Sequence, residues 1–436
     1  VLHSAYLCLI WTFYKQKGAE KAMNMEEMKR KYAYTLARVG LNVQKGQTVL
    51  VEADIAGAAF TPVFAEECYK LGAGNVVVHY LDLPNMKVAA QYRSDADIRK
   101  VEDWEYAMHQ PYLDAGACYI RLEGVNPRLM EDVTEAQSNA IFAHVDAVRN
   151  IMRKASREKH CQWLIAMVPT KDWATYILPD VPEDQAEDEL WKLLFKLCYI
   201  DEHNDVVKTW EEKNARKAER ANAIDELHLV KLHYTASNGT DLTVGLLPHH
   251  RWHGGGIDNE AGVYYFPNMP TEEIFTSPDR TRTQGIVYSS LPLSAQGGLI
   301  EDFWIRFDQG KAVEWGARTG ADKLGHIIET DESSCYLGEA ALVPQSSPIS
   351  RLGLLFYSVL YDENAACHLA LGRCYPFCLE EGNQMTEEEL RAHNLNISAV
   401  HCDFMIGTPD MAVTGILPDG TEVPIFRGGE WTGEFV

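Results

Sequence analysis

Apolar and polar positions alternate differently in the two halves of this chain. In the first half, short continuous apolar runs alternate with longer segments whose apolar positions recur at helical spacing. The apolar runs predict buried strands over residues 47–52, 75–80, 117–122 and 163–168. The periodic segments predict helices over residues 26–41, 58–71, 131–157, 187–200 and 205–224. This alternation predicts an α/β domain with a mostly parallel sheet that is covered on both faces.

The second half has shorter strands and more turns that contain glycine. Residues 230–244 alternate around Asn238-Gly239, a pair that indicates a β-hairpin. Further strands are predicted over residues 286–290, 304–307, 312–314, 411–417 and 422–425, and helices over residues 316–329 and 354–361. Many short strands with glycine-rich turns predict an α+β domain built on a curled antiparallel sheet or barrel.

A charged segment marks the boundary between the two predicted domains. Residues 205–224 carry Glu and Lys partners at helical spacing, which is typical of a solvated connecting helix. We therefore expect an α/β domain over residues 25–224 and a second domain over residues 225–436. Residues 1–24 are expected to be an extension outside the fold. Their apolar run, residues 5–14, is too short to span a bilayer, so no stable membrane association is expected; a weak membrane anchor is the alternative.

Composition argues against several classes of function. The chain has 436 residues, of which 46% are hydrophobic, and a formal net charge of −23. Such an acidic chain is poorly suited to nucleic acid, whose phosphates are contacted through clustered Lys and Arg. No glycine-rich phosphate-binding loop follows any predicted strand, so no nucleotide site is expected. The ten cysteines are scattered through apolar stretches, which indicates reduced thiols in a cytosolic protein.

His401 and Asp403 are the most informative polar pair in the sequence. Residues 397–400 and 404–407 on either side of them are strand-like. Because residues two apart on a strand point to the same face, the imidazole and the carboxylate would project side by side. Both groups need partners when buried, and a divalent metal ion satisfies both. An ordinary hydrogen-bonded pair is the alternative.

Further acidic and histidine residues stand in apolar context nearby in the sequence. Glu272 and Glu273 precede an apolar strand, and Glu339 interrupts an apolar run. His368 stands among small residues compatible with a helix or a loop, and Tyr375 follows it by seven residues. Singly, each has an ordinary explanation, such as a helix cap or a bond to a backbone carbonyl. Jointly, they suit zinc, cobalt or manganese, and their number fits two adjacent ions bridged by a carboxylate and a water.

The run His249-His250-Arg251-Trp252-His253 is a second candidate metal cluster. Three glycines follow it directly, which predicts a loop. We expect a substrate-facing or surface loop here rather than a metal site, since loops often carry such polar clusters.

Three stretches of the second half resemble the aminopeptidase T/S family of dinuclear metallopeptidases. They are residues 268–276 (NMPTEEIFT), 363–372 (ENAACHLALG) and 401–407 (HCDFMIG), and the resemblance covers residues 25–436. It implies a cytosolic homodimer that releases N-terminal residues, with broad specificity, from peptides with a free N-terminus. It also implies two divalent metal ions per chain, zinc or cobalt, with manganese or magnesium as other possibilities. Matched by motif, the metal ligands are Glu273, Glu339, His368, His401 and Asp403, and the active-site tyrosine is Tyr375.

The hypothesis for the reaction is attack on the peptide carbonyl by a water that bridges the two ions. Glu273 or Glu339 is the expected bridging carboxylate. Glu339 is the first candidate for the group that accepts the water's proton because its apolar neighbours raise its basicity, and Glu363 and Glu272 are its rivals. Tyr375 is expected to donate a hydrogen bond to the developing oxyanion.

Two other classes of function stay open at this point. One is a different two-metal hydrolase, acting on another amide or on a phosphoester, although the acidic excess disfavours a phosphate substrate. The other is a non-catalytic peptide-binding protein on the same scaffold. The presence of a metal-ligating side chain at all five matched positions argues against the second alternative.

Overall fold

Strands and helices alternate through the first half of the molecule, and strands dominate the second half. The computed structural model describes residues 24–124, 126–157, 161–295 and 298–435. The predicted extension over residues 1–24 lies outside the described residues except for Asn24. Among the helices of the described ranges, none is long and apolar enough to cross a membrane.

The elements are numbered in chain order. The α-helices are α1 (Met25–Thr35), α2 (Thr61–Lys70), α3 (Leu83–Ala90), α4 (Asp95–Arg99), α5 (Asp103–Ala107), α6 (Gln110–Asp114), α7 (Glu135–Arg157), α8 (Lys171–Ile177), α9 (Glu183–Leu197), α10 (Val206–Asp225), α11 (Ala321–Ile328), α12 (Val359–Asp362) and α13 (Glu387–Ala392). The strands are β1 (Thr48–Asp54), β2 (Asn75–Leu81), β3 (Cys118–Glu123), β4 (Trp163–Met167), β5 (Lys231–Thr235), β6 (Asp241–Leu246), β7 (Ile257–Asp258), β8 (Tyr264–Tyr265), β9 (Asn268–Met269), β10 (Ile274–Thr276), β11 (Pro278–Tyr288), β12 (Leu293–Ala295), β13 (Gly298–Ile300), β14 (Trp304–Asp308), β15 (Lys311–Gly316), β16 (Leu337–Leu342), β17 (His368–Gly372), β18 (His401–Met405), β19 (Ala412–Ile416), β20 (Glu422–Arg427) and β21 (Glu430–Trp431).

A parallel sheet forms the centre of the first half, as predicted. Its strand order is β2-β1-β3-β4-β9, and every neighbouring pair is parallel. Val51 of β1 shares a core with Tyr32 of α1 and Phe64 of α2. Leu50, on the opposite face, packs in a second cluster with Met152 of α7. Both faces of the sheet are covered, which explains the continuous apolar run of β1.

The last strand of this sheet comes from the second half of the sequence. Strand β9 pairs with β4 through Asn268 opposite Ile165 and Met269 opposite Ala166. Phe356 from the second half also packs into the core of the first half. The chain therefore returns to the parallel sheet after residue 225, and the division into domains at that residue stays a prediction.

Two antiparallel sheets make up most of the second half. The larger has the order β15-β14-β11-β6-β5-β19-β20-β21, and the smaller has the order β10-β16-β17-β18. The predicted hairpin is confirmed: β5 and β6 pair around Asn238-Gly239, where Gly239 has a φ of 104°. The antiparallel sheets are as predicted, but no closed barrel is seen in the described residues, where β15 and β21 are the edge strands of the larger sheet.

The helix predicted over residues 354–361 is wrong for most of its length, because only α12 is helical there. The carboxylate of Asp362 accepts hydrogen bonds from the backbone N–H groups of Phe356, at 2.8 Å, and Ser358, at 3.1 Å. Trp173 Nε1 donates to the carbonyl of Phe356 at 2.7 Å. These bonds occupy backbone groups that a helix would have used. The helix predicted over residues 316–329 is also shorter, since it begins after Gly320, which has a φ of 74°.

A buried ion pair joins the parallel sheet to α7. Glu52 Oε1 lies 2.7 Å from Arg149 Nε and 2.6 Å from one of its terminal nitrogens. The hydroxyl of Tyr119 donates to Glu52 Oε2 at 3.1 Å. Burial acts to raise the pKa of Glu52, but the attraction of Arg149 and Arg121 outweighs it, and the pKa is lowered. Glu52 is therefore held in its charged form, in which it neutralises Arg149.

Replacing Glu52 with Gln is expected to destabilise the protein by about 3 kcal/mol at pH 7, because the largely buried Arg149 then loses the carboxylate that it contacts. The pKa of Glu52 is lower in the folded than in the unfolded chain. The charged Glu52 therefore stabilises the folded protein fully above the pKa that it has in the unfolded chain. This contribution is lost as the pH falls through its lower pKa in the folded protein. In denaturant titrations, the difference between Glu52→Gln and the parent should shrink below about pH 4.

The control for this variant is Glu66→Gln, which removes an exposed ion pair with Lys70. It should leave the unfolding midpoint unchanged at every pH. Equal midpoints for the two variants at pH 7 would contradict the role assigned to Glu52.

Candidate metal centre

The smaller antiparallel sheet carries the residues that the sequence singled out. Glu339 lies on β16, His368 opens β17, and His401 and Asp403 lie on β18. Glu273 directly precedes β10, the remaining strand of this sheet. The expected strand at His401 and Asp403 is confirmed, whereas the helix or loop expected at His368 is wrong. His368 pairs with Ala341 on one side and Met405 on the other, so its conformation is set by its neighbours in the sheet rather than by the local sequence.

Glu273, Glu339 and His368 form the first group of candidate ligands. All are buried, and each offers an atom within 4.8 Å of the others. His368 Nε2 lies 2.9 Å from Glu273 Oε2, yet this carboxylate oxygen has no hydrogen bond of normal geometry. His368 Nδ1 lies 3.1 Å from the carbonyl of Ala366. Because a carbonyl only accepts, Nδ1 carries the hydrogen in the neutral ring, and the lone pair of Nε2 faces the carboxylates.

Glu339, His401 and Asp403 form the second group, which meets the same 4.8 Å limit. His401 Nε2 lies 3.3 Å from Glu339 Oε2 and 3.4 Å from Asp403 Oδ1. His401 Nδ1 lies 2.7 Å from the carbonyl of Arg373, which orients this ring as Ala366 orients the other. Glu339 belongs to both groups, so its carboxylate lies between two sets of nitrogen and oxygen donors.

The electrostatics of the centre show that these residues fit divalent cations. Burial, reinforced by Asp403 and Glu273, raises the pKa of Glu339 to about 7. Burial and the same two carboxylates raise the pKa of Glu363 well above its usual range. Burial acts to lower the pKa of His368, but contact with Glu273 outweighs it and raises the pKa to about 10. Without a metal ion, the cluster is therefore neutralised by protons, and a divalent cation satisfies the same negative charge.

The two groups line one cavity together with residues that the sequence did not single out. Phe275 lies two residues after Glu273, and Phe377 lies two residues after Tyr375. The aromatic rings of Tyr375 and Phe377 have centroids 5.3 Å apart. Tyr375 Oη lies 3.3 Å from His401 Nε2, so it reaches the metal centre. The other lining residues are Trp163, His253, Gly254, Gly255, Ile257, Pro267, Asn268, Thr271 and Glu363. For Phe275, the spacing of two from Glu273 was a usable sequence signal.

The rival carboxylates for proton transfer lie in different places. Glu363 lines the cavity and belongs to neither ligand group. The carboxylate of Glu272 instead accepts a short hydrogen bond from the hydroxyl of Tyr199. Glu272 is not among the residues that line the cavity. Of these two alternatives to Glu339 as the proton acceptor, Glu363 lies beside the candidate ligands and Glu272 lies outside the cavity.

The histidine run at 249–253 is not a metal group in the part of the chain that the structure describes. His250 Nδ1 lies 2.8 Å from the carbonyl of Leu247, and His253 Nε2 lies 2.8 Å from the carbonyl of Phe377. His253 lines the cavity with the two glycines that follow it. The expectation was a substrate-facing or surface loop rather than a metal site, and a substrate-facing role for this run stays a prediction.

Comparison with known proteins identifies the family. The family model described as thermophilic metalloprotease (M29) matches residues 25–431. The chain belongs to this M29 family. It is 38% identical over 400 residues to aminopeptidase AmpS of Bacillus subtilis, covering 92% of this chain and 97% of that protein. It is 37% identical over 402 residues to aminopeptidase T of Thermus aquaticus, again covering 92% and 97%.

A solved structure agrees with the M29 assignment. Wild-type AmpT from Thermus thermophilus matches this chain with a TM-score of 0.86 at 33% identity, covering 94% of this chain and 100% of that one. The family resemblance seen in the motifs is thereby confirmed.

Gly338 is a position where the M29 chain has no room for a side chain. A methyl group there would overlap with the carbonyl oxygens of Gly372 and Arg373, and the latter holds His401 Nδ1. We therefore expect Gly338→Ala to weaken metal binding at least about tenfold, since groups that orient a ligand typically matter by that much. Overpacking should also lower stability by about 1–3 kcal/mol. Titration of metal-free protein and thermal melting measure the two effects.

The matched control is Gly325→Ala in α11. The nearest atom to a methyl group there is Trp315 Nε1 at 3.3 Å, in a side chain rather than the backbone, and alanine is favoured over glycine in a helix. Metal affinity should stay at the parent value. A Gly338→Ala variant with parental metal affinity would contradict the role assigned to the Arg373 carbonyl.

Proposed function

We propose that this chain is a metal-dependent aminopeptidase that releases the N-terminal residue from peptides with a free N-terminus, with broad specificity. The observation that carries the proposal is the pair of ligand groups that share the buried Glu339 and line one cavity. The relatives named aminopeptidase AmpS and aminopeptidase T match nearly the whole chain, which supports the peptide substrate.

The proposed centre holds two divalent ions, with Glu339 as the shared ligand. Glu273 and His368 complete one ion's protein ligands, and His401 and Asp403 complete those of the other. Charge supports this number, because two divalent ions balance the four carboxylates of the cavity: Glu273, Glu339, Glu363 and Asp403. The mixed nitrogen and oxygen donors suit zinc or cobalt, and manganese or magnesium also accepts such oxygen-rich sites. When bound, such ions lower the pKa of a water and polarise the scissile carbonyl.

Proton transfer is assigned to Glu363. Glu339 was the first candidate from the sequence, but its carboxylate belongs to both ligand groups and is assigned here as the shared ligand. Glu363 lies in the same cavity outside those groups, so its carboxylate is the one lining carboxylate not assigned as a ligand, and it is assigned the proton from the attacking water. The same carboxyl then delivers this proton to the leaving amine.

Tyr375 is assigned to the oxyanion. Burial and the surrounding carboxylates, Glu339 first among them, raise the pKa of its hydroxyl well above the usual range. The hydroxyl therefore keeps its proton and donates a hydrogen bond to the oxygen on which negative charge develops. The free α-amino group of a peptide would bind one of the ions or an acidic side chain of the cavity, which explains a preference for unblocked peptides. The homodimer and the cytosolic location stay predictions.

The proposal predicts the metal requirement and the number of ions. Metal-free protein titrated with Co²⁺ or Zn²⁺ should gain activity on leucine-p-nitroanilide up to about two ions per chain, the number set by the two groups. N-acetyl-leucine-p-nitroanilide should not be cleaved. His368→Ala and His401→Ala should each retain about one ion, whereas Glu339→Ala should retain neither, because Glu339 serves both groups. Ion counts from elemental analysis check this, and retention of two ions by Glu339→Ala would contradict the shared ligand.

Glu363→Gln separates the two assignments of the proton acceptor. We expect it to keep both ions and to lower kcat by about 10²–10⁴, the usual contribution of general acid–base catalysis. KM should change little, because the cavity keeps its shape. The control is Glu272→Gln. Because Glu272 does not line the cavity, this variant should keep most of the parent's kcat. Full turnover by Glu363→Gln with both ions bound would return the role to Glu339.

A further inference from the structure

Lys217 of α10 is a buried lysine that the proposed reaction does not use. It is only 7% exposed, and its Nζ donates a hydrogen bond to the carbonyl of Thr271 at 2.7 Å. Burial lowers its pKa to about 8, against the attraction of Glu272 and Glu273. Because a lysine is rarely buried without a specific partner, the contact with Thr271 indicates a role for this side chain.

The contact lies two residues before a proposed metal ligand. Thr271 itself lines the cavity, and Glu273 belongs to the first ligand group. Lys217 also lies directly beneath the cavity wall, since a methyl group on Gly255 would lie 3.4 Å from its Cε. Helix α10 therefore places a charged side chain behind the cavity wall, where it bonds the backbone instead of the ligands.

A second buried side chain holds the same segment from the opposite side. Asn364 Oδ1 accepts the backbone N–H of Glu272 at 2.5 Å, and Asn364 Nδ2 donates to the carbonyl of Leu360 at 2.9 Å. Asn364 is fully buried, and its own carbonyl accepts the hydroxyl of Ser347 at 3.0 Å. The peptide unit that joins Thr271 to Glu272 is thus bonded at its carbonyl by one residue and at its N–H by another.

Two bonds at opposite ends of one peptide unit fix its orientation, whereas one bond would leave it free to rotate. This orientation sets the direction in which the next residue, Glu273, enters the centre. We propose that Lys217 is a positioning residue for Glu273, acting through its hydrogen bond to the carbonyl of Thr271. This inference rests on the proposed function, because it assigns Glu273 as a metal ligand.

The sign of the effect on metal affinity distinguishes positioning from simple electrostatics. Lys217 carries a positive charge near Glu273. If only electrostatics mattered, removal of this charge would strengthen the binding of a cation. Loss of positioning would weaken it. Lys217→Met keeps the length and apolar stem of the side chain but removes both the charge and the donor. The double variant Lys217→Met/Glu272→Gln also removes the carboxylate that most strongly attracts the lysine, so that Glu272 is not left buried without this cation.

The experiment measures the affinity of metal-free protein for Zn²⁺ by competition with a chelator, together with kcat, KM and the melting temperature. We expect Lys217→Met to bind one of the two ions about 10–100-fold more weakly, with a lower kcat and a KM within about twofold of the parent. The double variant should show the same weakening. The control is Lys208→Met on the same helix, whose side chain is 72% exposed and whose Nζ lies 3.8 Å from Glu212; it should match the parent.

Unchanged or tighter zinc binding in Lys217→Met would overturn the inference, as would parental affinity in the double variant. If Lys217→Met does not fold, the double variant decides the question alone. A parent protein that binds no metal, or binds two ions without cleaving an unblocked peptide, would refute the proposed function itself. That result appears in the parent and is therefore distinct from a failure of the role given to Lys217.

Discussion

The crowding of negative charge in one buried cavity is the constraint on which the rest of the centre depends. Glu273, Glu339, Glu363 and Asp403 lie in one cavity, and the candidate ligands beside them include only two imidazoles. Buried carboxylates so close together are not all charged unless cations accompany them. The pKa values of Glu339 and Glu363 are raised for this reason. This arrangement suits divalent ions, and the assignment to a metalloprotease family agrees with it.

Backbone carbonyls next to the smaller sheet orient the two histidine ligands. The carbonyls of Ala366 and Arg373 each bond the Nδ1 atom of one histidine, so that both rings present Nε2 to the carboxylates. These carbonyls lie next to the ends of β17, where the strand starts and stops. The register of β17 with its two neighbours thus fixes ring orientation as well as strand position, and the ligands need no flexible loop to bring them together.

The spacing of apolar residues predicted the strands and helices whose conformation is set by neighbouring residues in the sequence. The period of two identified the strand under His401 and Asp403, and the continuous apolar runs identified the parallel sheet. His368 was misplaced because the small residues around it have no strong strand preference, and pairing with β16 and β18 decides its conformation. Strand β9 has two residues and no period to detect, so its place beside β4 follows from tertiary contacts alone. In residues 354–358, a local side chain and a distant one together hold the backbone: Asp362 a few residues further on, and Trp173 from the first half.

Strand β9 also shows why the first half of the chain matters to a centre whose matched ligands all lie in the second. Only three residues separate the end of β9 from Glu273, and β9 is hydrogen-bonded to the parallel sheet. Lys217 and Trp163, both from the first half, reach the same stretch of cavity wall. One proposed ligand is thus anchored to the α/β sheet, while the other four lie on the antiparallel sheet. Glu273 also directly precedes β10, which pairs with β16, the strand of Glu339, so this residue lies between a strand of each sheet. A change that loosens the contact between β9 and the parallel sheet would therefore reach one side of this segment without touching a ligand.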